Sequence, residues 1–342
     1  MPKHPMSKWI AGGVAFILIA LAGVFAASLP GCNHGIAGDE VIVYCAVDEP
    51  YASQIFAEFE RQTGIRTTVQ YDIESSKSVG LAGKLEAEAE HPRADVWWGS
   101  EAFLSVRLGE EGALAPYQSP AATDIPAQFK DPGGLWTGTA LRARVLAVST
   151  KSPPPFPVTG IRDLVDPRLK NKVAMSRPTA GATGAHLATV YTVWGPEKAA
   201  AFCRDLHGNG IALLGGNAEV ADQVGAGTYS LGLTDNDDVT NAIANGGKLS
   251  MVVPDQNGQG TLAMPTSVAL VKGSKHEASA KKLIDFLVSK QVERKLIDLK
   301  FARWSVRGGE ADALKAIDID YHAAAKIYAR AQREGEALLE GR

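Results

Sequence analysis

The sequence predicts an α/β protein of two lobes, each a mostly parallel sheet flanked by helices. Three observations carry this prediction. Short apolar runs alternate with amphipathic stretches in the order strand, helix, strand, helix, which implies parallel strands with crossover helices on both sheet faces. The pattern stops at a proline-rich loop, Ser152–Pro157, and restarts beyond it. The chain has 342 residues, 45% of them hydrophobic, enough for two lobes of roughly 150 residues with real cores.

Val41–Tyr44 reads as a buried strand ending in the Cys45–Pro50 turn. A helix follows, with Tyr51, Ile55, Phe56 and Phe59 on one face and Gly64 as its stop. Ile65–Tyr71 is a second strand, and Lys77–Glu90 a helix with Leu81 and Leu85 inward. Ala94–Trp98 is a third strand that breaks at Gly99 and Ser100. Glu101–Glu111 is a helix closed by Gly112, and Leu141–Ser149 is a strand. Past the loop come strand Val173–Ser176, helices Gly184–Trp194 and Ala199–Leu206, strand Tyr229–Leu233 and a helix from Asp237 to Ala244. Strand Ser267–Val271 and helices Glu277–Leu287 and Gln291–Leu299 follow. Ile317–Leu339 is Ala-rich and charged and is expected to be a surface helix. The lobes are expected to hold residues 39–141 with 265–342, and residues 142–264.

Lys3 and Lys8 precede an apolar run from Trp9 to Leu29 that ends in Leu29-Pro30-Gly31-Cys32. Residues 1–32 thus have the layout of a signal peptide, and Leu-x-Gly-Cys resembles a bacterial lipobox, with Cys32 as the lipidated residue. The run is also long enough to span a bilayer as an uncleaved anchor. Either way the rest of the chain is expected on the periplasmic or extracellular side of the inner membrane; in the lipoprotein reading the lipid anchor alone holds it there. The formal charge is −3; without the charges of Lys3 and Lys8 it is −5, which argues against nucleic acid as a partner. Beyond Cys32 only Cys45 and Cys203 remain, which excludes a disulfide scaffold, and no His/Cys cluster has zinc spacing.

In open α/β sheets the ligand crevice lies at the carboxyl ends of the strands. That directs attention to Cys45–Pro50, Gly99–Glu101, Ser176–Thr183 and Thr234–Asp238. These segments sit among stretches that resemble the extracellular solute-binding proteins of ABC importers, in the iron(III)-type branch of the type II periplasmic binding protein family. The matching stretches are Val41–Tyr44, Phe56–Ile65 (FAEFERQTGI), Ala94–Trp98 (ADVWW), Leu164–Val173 (LVDPRLKNKV), Pro178–Ala182 (PTAGA) and Lys282–Leu287 followed by Ser289. The resemblance implies a two-lobed periplasmic binding protein-like fold that closes about its hinge on ligand. It implies an ABC permease as partner, a monomer, and no required cofactor, with a bound metal ion and synergistic anion as cargo. The iron-binding relatives use a His after the first strand, a carboxylate after the third and two adjacent tyrosinates. Asp48 falls at the His, Glu101 near the carboxylate, and Asp237 with Asp238 at the tyrosine pair. The resemblance therefore implies Glu101, Asp237 and Asp238 as metal ligands, with Pro178–Thr183 holding the anion and Arg142 pairing with it.

The residues support these roles in their own right. Asp235, Asp237 and Asp238 form the densest acid cluster, suited to a hard cation or an ammonium, although helix capping explains such residues equally well. Thr179, Gly181 and Thr183 lead into a helix whose amides attract anions, and an ordinary capped loop looks the same. Arg142 and Arg144 share a strand face, and a bidentate Arg suits phosphate, phosphonate or carboxylate. Trp97 and Trp98 must point to opposite sheet faces; one is core, and Trp98 could offer a π face to a cation. Tyr44 and Tyr51 are core candidates. Asn217 is a further ligand candidate, which a plain turn in Gly215–Glu219 explains as well.

Two ligand classes stay open, both with a receptor rather than a catalyst. One is a metal ion such as iron with a bound anion. The other is a zwitterion such as an aminophosphonate, with its phosphonate on Arg142 and Thr179–Thr183 and its amine on Asp237, Asp238 and Trp98. A third class, an exported metal-dependent hydrolase, would need a general base, and the sequence shows none.

Overall fold

The computed structural model describes residues 39–72, 79–179, 181–308 and 314–342. The leader with Cys32 and the expected helix start at Lys77 lie outside these residues. From the amino end run β1 (Glu40–Cys45), α1 (Glu49–Thr63), β2 (Arg66–Tyr71), α2 (Val79–Ala87), β3 (Val96–Gly99), α3 (Phe103–Glu110) and β4 (Leu114–Ala115). Then come β5 (Thr137–Ser149), β6 (Val173–Ser176), α4 (Gly181–Trp194), α5 (Pro196–Gly208), β7 (Ala212–Leu214) and α6 (Asn217–Ala226). The remainder is β8 (Leu231–Asp235), α7 (Asn236–Ala244), β9 (Leu249–Val252), β10 (Ala263–Val271), α8 (Glu277–Leu287), α9 (Lys290–Asp298) and α10 (Tyr321–Leu339). Helix α1 ends at Gly64, whose φ of 72° is the left-handed stop that glycine adopts without a Cβ clash.

The strands form one sheet in the order β2-β1-β3-β10-β5-β8-β6-β7, with β4 on β10 and β9 on β5. Two parallel blocks are visible. In the first, β1 lies between β2 and β3, pairing Val43 with Val69 and Tyr44 with Trp97. In the second, β6 lies between β8 and β7. The long strands β5 and β10 join the blocks antiparallel to their neighbours. Where they cross, the register slips between Pro265 and Thr266. Ala140 has no partner there and takes a φ of 49°, a conformation an L-residue holds only when its surroundings impose it. The imposing group is buried Glu293, whose Oε1 accepts the Ala140 N–H at 3.2 Å and whose Oε2 lies 2.7 Å from Arg307 Nη1.

Each sheet face carries a core. Trp97 packs on one face with Phe103, Leu146 and Leu233. Trp98 packs on the other with Phe56, Val145 and Leu283. Both rings are fully buried, so the alternation of β3 sends an indole into each core and none to solvent.

The sequence places the C-terminal helix on the surface, and the structure corrects this. One face of α10, with Tyr321, Ala324, Tyr328, Ala331 and Leu339, is buried against α3, α4 and α5. Helix α4 is buried on every side from Gly181 to Tyr191, all but its last three residues, so it is apolar all round. The fit is close. A Cβ at Gly184 would stand 2.5 Å from Tyr328 Oη, and one at Gly335 would stand 2.5 Å from Leu187 Cδ1. Helix α10 therefore leans on helices from both the 39–141 and the 142–264 segments.

Candidate functional site

A cavity of about 770 Å³ opens where α1 begins, β5 passes its bulge, and α4, α6 and α7 present their N-termini. Asp48, Tyr51 and Gln54 line it from α1, and Asp235, Asp237, Asp238 and Asn241 from the start of α7. Ser176, Arg177, Thr179 and Gly181 line it from the approach to α4, and Gly215–Ala218 from the start of α6. The Gly216 cap of α6 has no side-chain hydrogen bond to the helix amides. These two helix ends favour negative charge.

The acid cluster is real in space. Among the described residues, Asp235, Asp237 and Asp238 each offer a carboxylate oxygen, all within 4.8 Å of one another. Asp235 stands at the N-cap position of α7 but makes no cap hydrogen bond. Its Oδ1 lies 2.7 Å from Arg144 Nη1 and its Oδ2 3.3 Å from Arg142 Nη1. Asp237 lies 3.5 Å from the same Arg142 nitrogen. Both arginines are buried. Burial works against the Arg142 charge, but Asp237, Asp235, Asp48 and Asp238 outweigh it and hold its pKa above the ordinary value. The cavity wall carries four aspartates against two arginines, Arg142 and Arg177, a formal −2. The carboxylates also raise the Tyr51 phenol: burial acts first, and Asp237, Asp48 and Asp238 add to it against a hydrogen bond from Asn241. That bond, from Asn241 Nδ2 to Tyr51 Oη, is 2.7 Å long.

The expected site residues thus divide. Asp48, Arg142, Thr179, Gly181, Asn217, Asp235, Asp237 and Asp238 meet on one cavity. Thr183 lies behind the wall, sharing its hydroxyl with Ser176, Arg144 and Asn217. Trp98 is in the core, its Nε1 3.5 Å from Thr266 Oγ1. Arg142 does not offer a two-pronged clamp to an anion, because Nη1 faces Asp235 and Asp237 and Nη2 donates to the Ser100 carbonyl at 3.2 Å. Sequence reasoning flagged the segments that hold Ser100 and Arg177 without singling out either residue, passed over Gln54 and Asn241, and favoured core packing for Tyr51. Arg177 lies inside the flagged Ser176–Thr183 segment, and the Gly215-Gly216 pair before Asn217 is a helix start rather than a plain turn.

Glu101 does not join the acid cluster. It is fully buried, and its carboxylate accepts the N–H groups of Phe103 and Leu104 at the start of α3, the helix that follows it. Burial pushes its carboxyl up to about 7, against those hydrogen bonds and the charges of Arg107 and Arg142. A folded pKa above the ordinary 4.5 means that the folded state holds the proton more tightly. The resulting stability is complete below that value and is lost as pH rises through about 7. Glu101→Gln removes this dependence. We expect wild type to lose on the order of 3 kcal/mol relative to the variant between mildly acidic and mildly alkaline pH, read by urea denaturation at both. Parallel curves for the two proteins would refute it.

The cleft gathers an acid cluster and two helix N-termini, an arrangement suited to holding a small charged solute. The sequence profile of the bacterial extracellular solute-binding proteins matches residues 94–322, and the chain belongs to that family. It is similar to iron uptake protein A1 of Synechocystis sp., 26% identical over 266 residues, which are 74% of this chain and 72% of that protein. It is as similar to a putative 2-aminoethylphosphonate-binding periplasmic protein of Salmonella paratyphi A, 26% identical over 296 residues and 83% of each chain. The ferric binding protein of Campylobacter jejuni shares the two-lobed fold, with a TM-score of 0.78 at 21% identity over 87% of this chain and 99% of that one. No described helix is long and apolar enough to cross a membrane.

Proposed function

We propose that the protein is the extracytoplasmic receptor of an ABC importer, tethered through Cys32, and that it delivers a metal ion such as iron with a bound anion to the permease. The observation that carries this reading is the convergence of Asp235, Asp237 and Asp238 in a cavity of formal charge −2, beside two helix ends that favour the accompanying anion. Carboxylates are hard-cation ligands, and the sequence resemblance sets Asp237 and Asp238 at the tyrosine pair of the iron-binding family. Closure brings residues 39–141 with 265–342 toward residues 142–264, bending at the β5/β10 crossing. The receptor acts as a monomer, requires no cofactor and turns nothing over.

A second reading rests on the volume of the cavity. Its 770 Å³ falls in the roughly 300–1,000 Å³ range of small-molecule pockets. A zwitterion such as 2-aminoethylphosphonate would set its ammonium among the aspartates and its phosphonate at the helix ends.

The test is native mass spectrometry with elemental analysis of the protein as purified, followed by melting scans with iron(III) plus citrate, iron(III) plus phosphate, and 2-aminoethylphosphonate. Ligand at a hundred times its Kd should add about 2.7 kcal/mol by mass action. Stabilisation by iron salts supports the first reading and stabilisation by the phosphonate alone supports the second. A silent panel refutes both, and turnover of any member contradicts the receptor.

A further inference from the structure

Arg177 is the cavity-wall cation that sequence reasoning did not single out. It follows β6 directly, and its backbone N–H is fixed by the Leu214 carbonyl at 2.9 Å. Its side chain is about half exposed, and Nη1 reaches 2.5 Å to Glu340 Oε1, just past the end of α10. Glu340 has a second partner in Arg342, whose Nη2 and Nε lie 2.6 and 3.0 Å from Oε2. Arg142, by contrast, is buried and held by two aspartates and a carbonyl. Of the two cations on the wall, Arg177 is the one whose head group can swing.

We infer that Arg177 contacts the anionic part of the ligand, and that Glu340 holds this guanidinium in the ligand-free protein and releases it when the anion arrives. The inference rests on the proposed receptor function and names the group that meets its anion. Exposed ion pairs are weak, and a charge-assisted contact to a bound oxyanion is stronger, so the exchange runs toward ligand. Glu340 keeps Arg342 when Arg177 leaves, so no carboxylate is stranded. The exchange also reports occupancy to the C-terminal helix, because Glu340 caps α10 and α10 packs on both halves of the molecule. In this arrangement Arg177 is a binding residue and Glu340 a positioning residue.

The test is titration calorimetry on the full chain with 2-aminoethylphosphonate and, separately, with iron(III) supplied with phosphate, at low and high ionic strength. Arg177→Gln should raise Kd about ten- to a hundredfold for whichever probe binds, with Arg177→Lys recovering part of the loss. Glu340→Gln should lower Kd about two- to fivefold at low salt, and should do nothing in the Arg177→Gln background. Hydrogen exchange at the Gly341 and Arg342 amides should quicken on ligand addition in wild type and not in Arg177→Gln. A wild-type Kd in Arg177→Gln overturns the contact. Equal affinities of wild type and Glu340→Gln, or unchanged exchange at the C-terminus, overturn the handover. Failure of wild type to bind either probe overturns the receptor reading itself, and this inference with it.

Discussion

Asp235→Asn should destabilise the protein by about 3–5 kcal/mol. Asp235 is the hub of a buried network: Arg144 sits on one of its oxygens at 2.7 Å and Arg142 on the other at 3.3 Å. Both guanidiniums are buried, and Asp237 lies 3.5 Å from Arg142. An amide in place of the carboxylate removes the anion that both buried cations share, and it presents an N–H to an N–H. Urea denaturation at neutral pH reads the loss. The companion variant removes the stranded charge: Asp235→Leu combined with Arg144→Met should be far milder than Asp235→Asn, because an apolar replacement of both partners avoids an unpaired buried ion. A loss under about 1 kcal/mol for Asp235→Asn would contradict the network.

The second large effect is on binding. Asp237→Asn keeps the shape and much of the hydrogen bonding and removes one charge. If Asp237 meets the positive part of the ligand in a dry cleft, affinity should fall by about 2–5 kcal/mol, since the ligand charge is left buried without its partner. If Asp237 serves only Arg142 and the helix dipole, stability drops and Kd does not move. The dipole share of that drop is about 0.3–1 kcal/mol. Measuring Kd by calorimetry and stability by denaturation on the same variant separates the two roles.

Much of the frame was legible because the local signals are strong. The Tyr51, Ile55, Phe56 and Phe59 face, with Gly64 as stop, fixes α1 to within two residues. The Val173–Ser176 and Glu277–Leu287 runs coincide with their elements. Strands β7 and β9 escaped notice because each has too few residues to establish a period, and helix α6 was hidden behind the Gly215-Gly216 turn that precedes it. The character of α10 was misread for a physical reason. Alanine is neutral on a helix surface and also lets two helices approach closely, and only the glycines of α4 and α10 at their contact show which role applies. At the site, the spacing of Arg142 and Arg144 revealed a shared face but not Asp235 as its occupant. That pairing joins β5 to β8 across 91 positions of chain, beyond the reach of any local pattern. Trp98 and Glu101 failed as cavity residues because a sequence shows that a strand ends, not that both of its faces are already covered.

The β5/β10 crossing sets a schedule for synthesis. Thr266 meets Thr139 across 127 positions, and β3 has no neighbour on its second side until Ala263–Val271 is made. Until then the block β2-β1-β3 presents a bare edge, which is a template for pairing with other chains. Contacts so distant in sequence also form slowly. A nascent or truncated chain that stops short of residue 263 should therefore self-associate, and folding of the first block should wait for nearly the whole polypeptide. Strand β10, which with β5 joins the two parallel blocks in the finished molecule, is the last strand to be made.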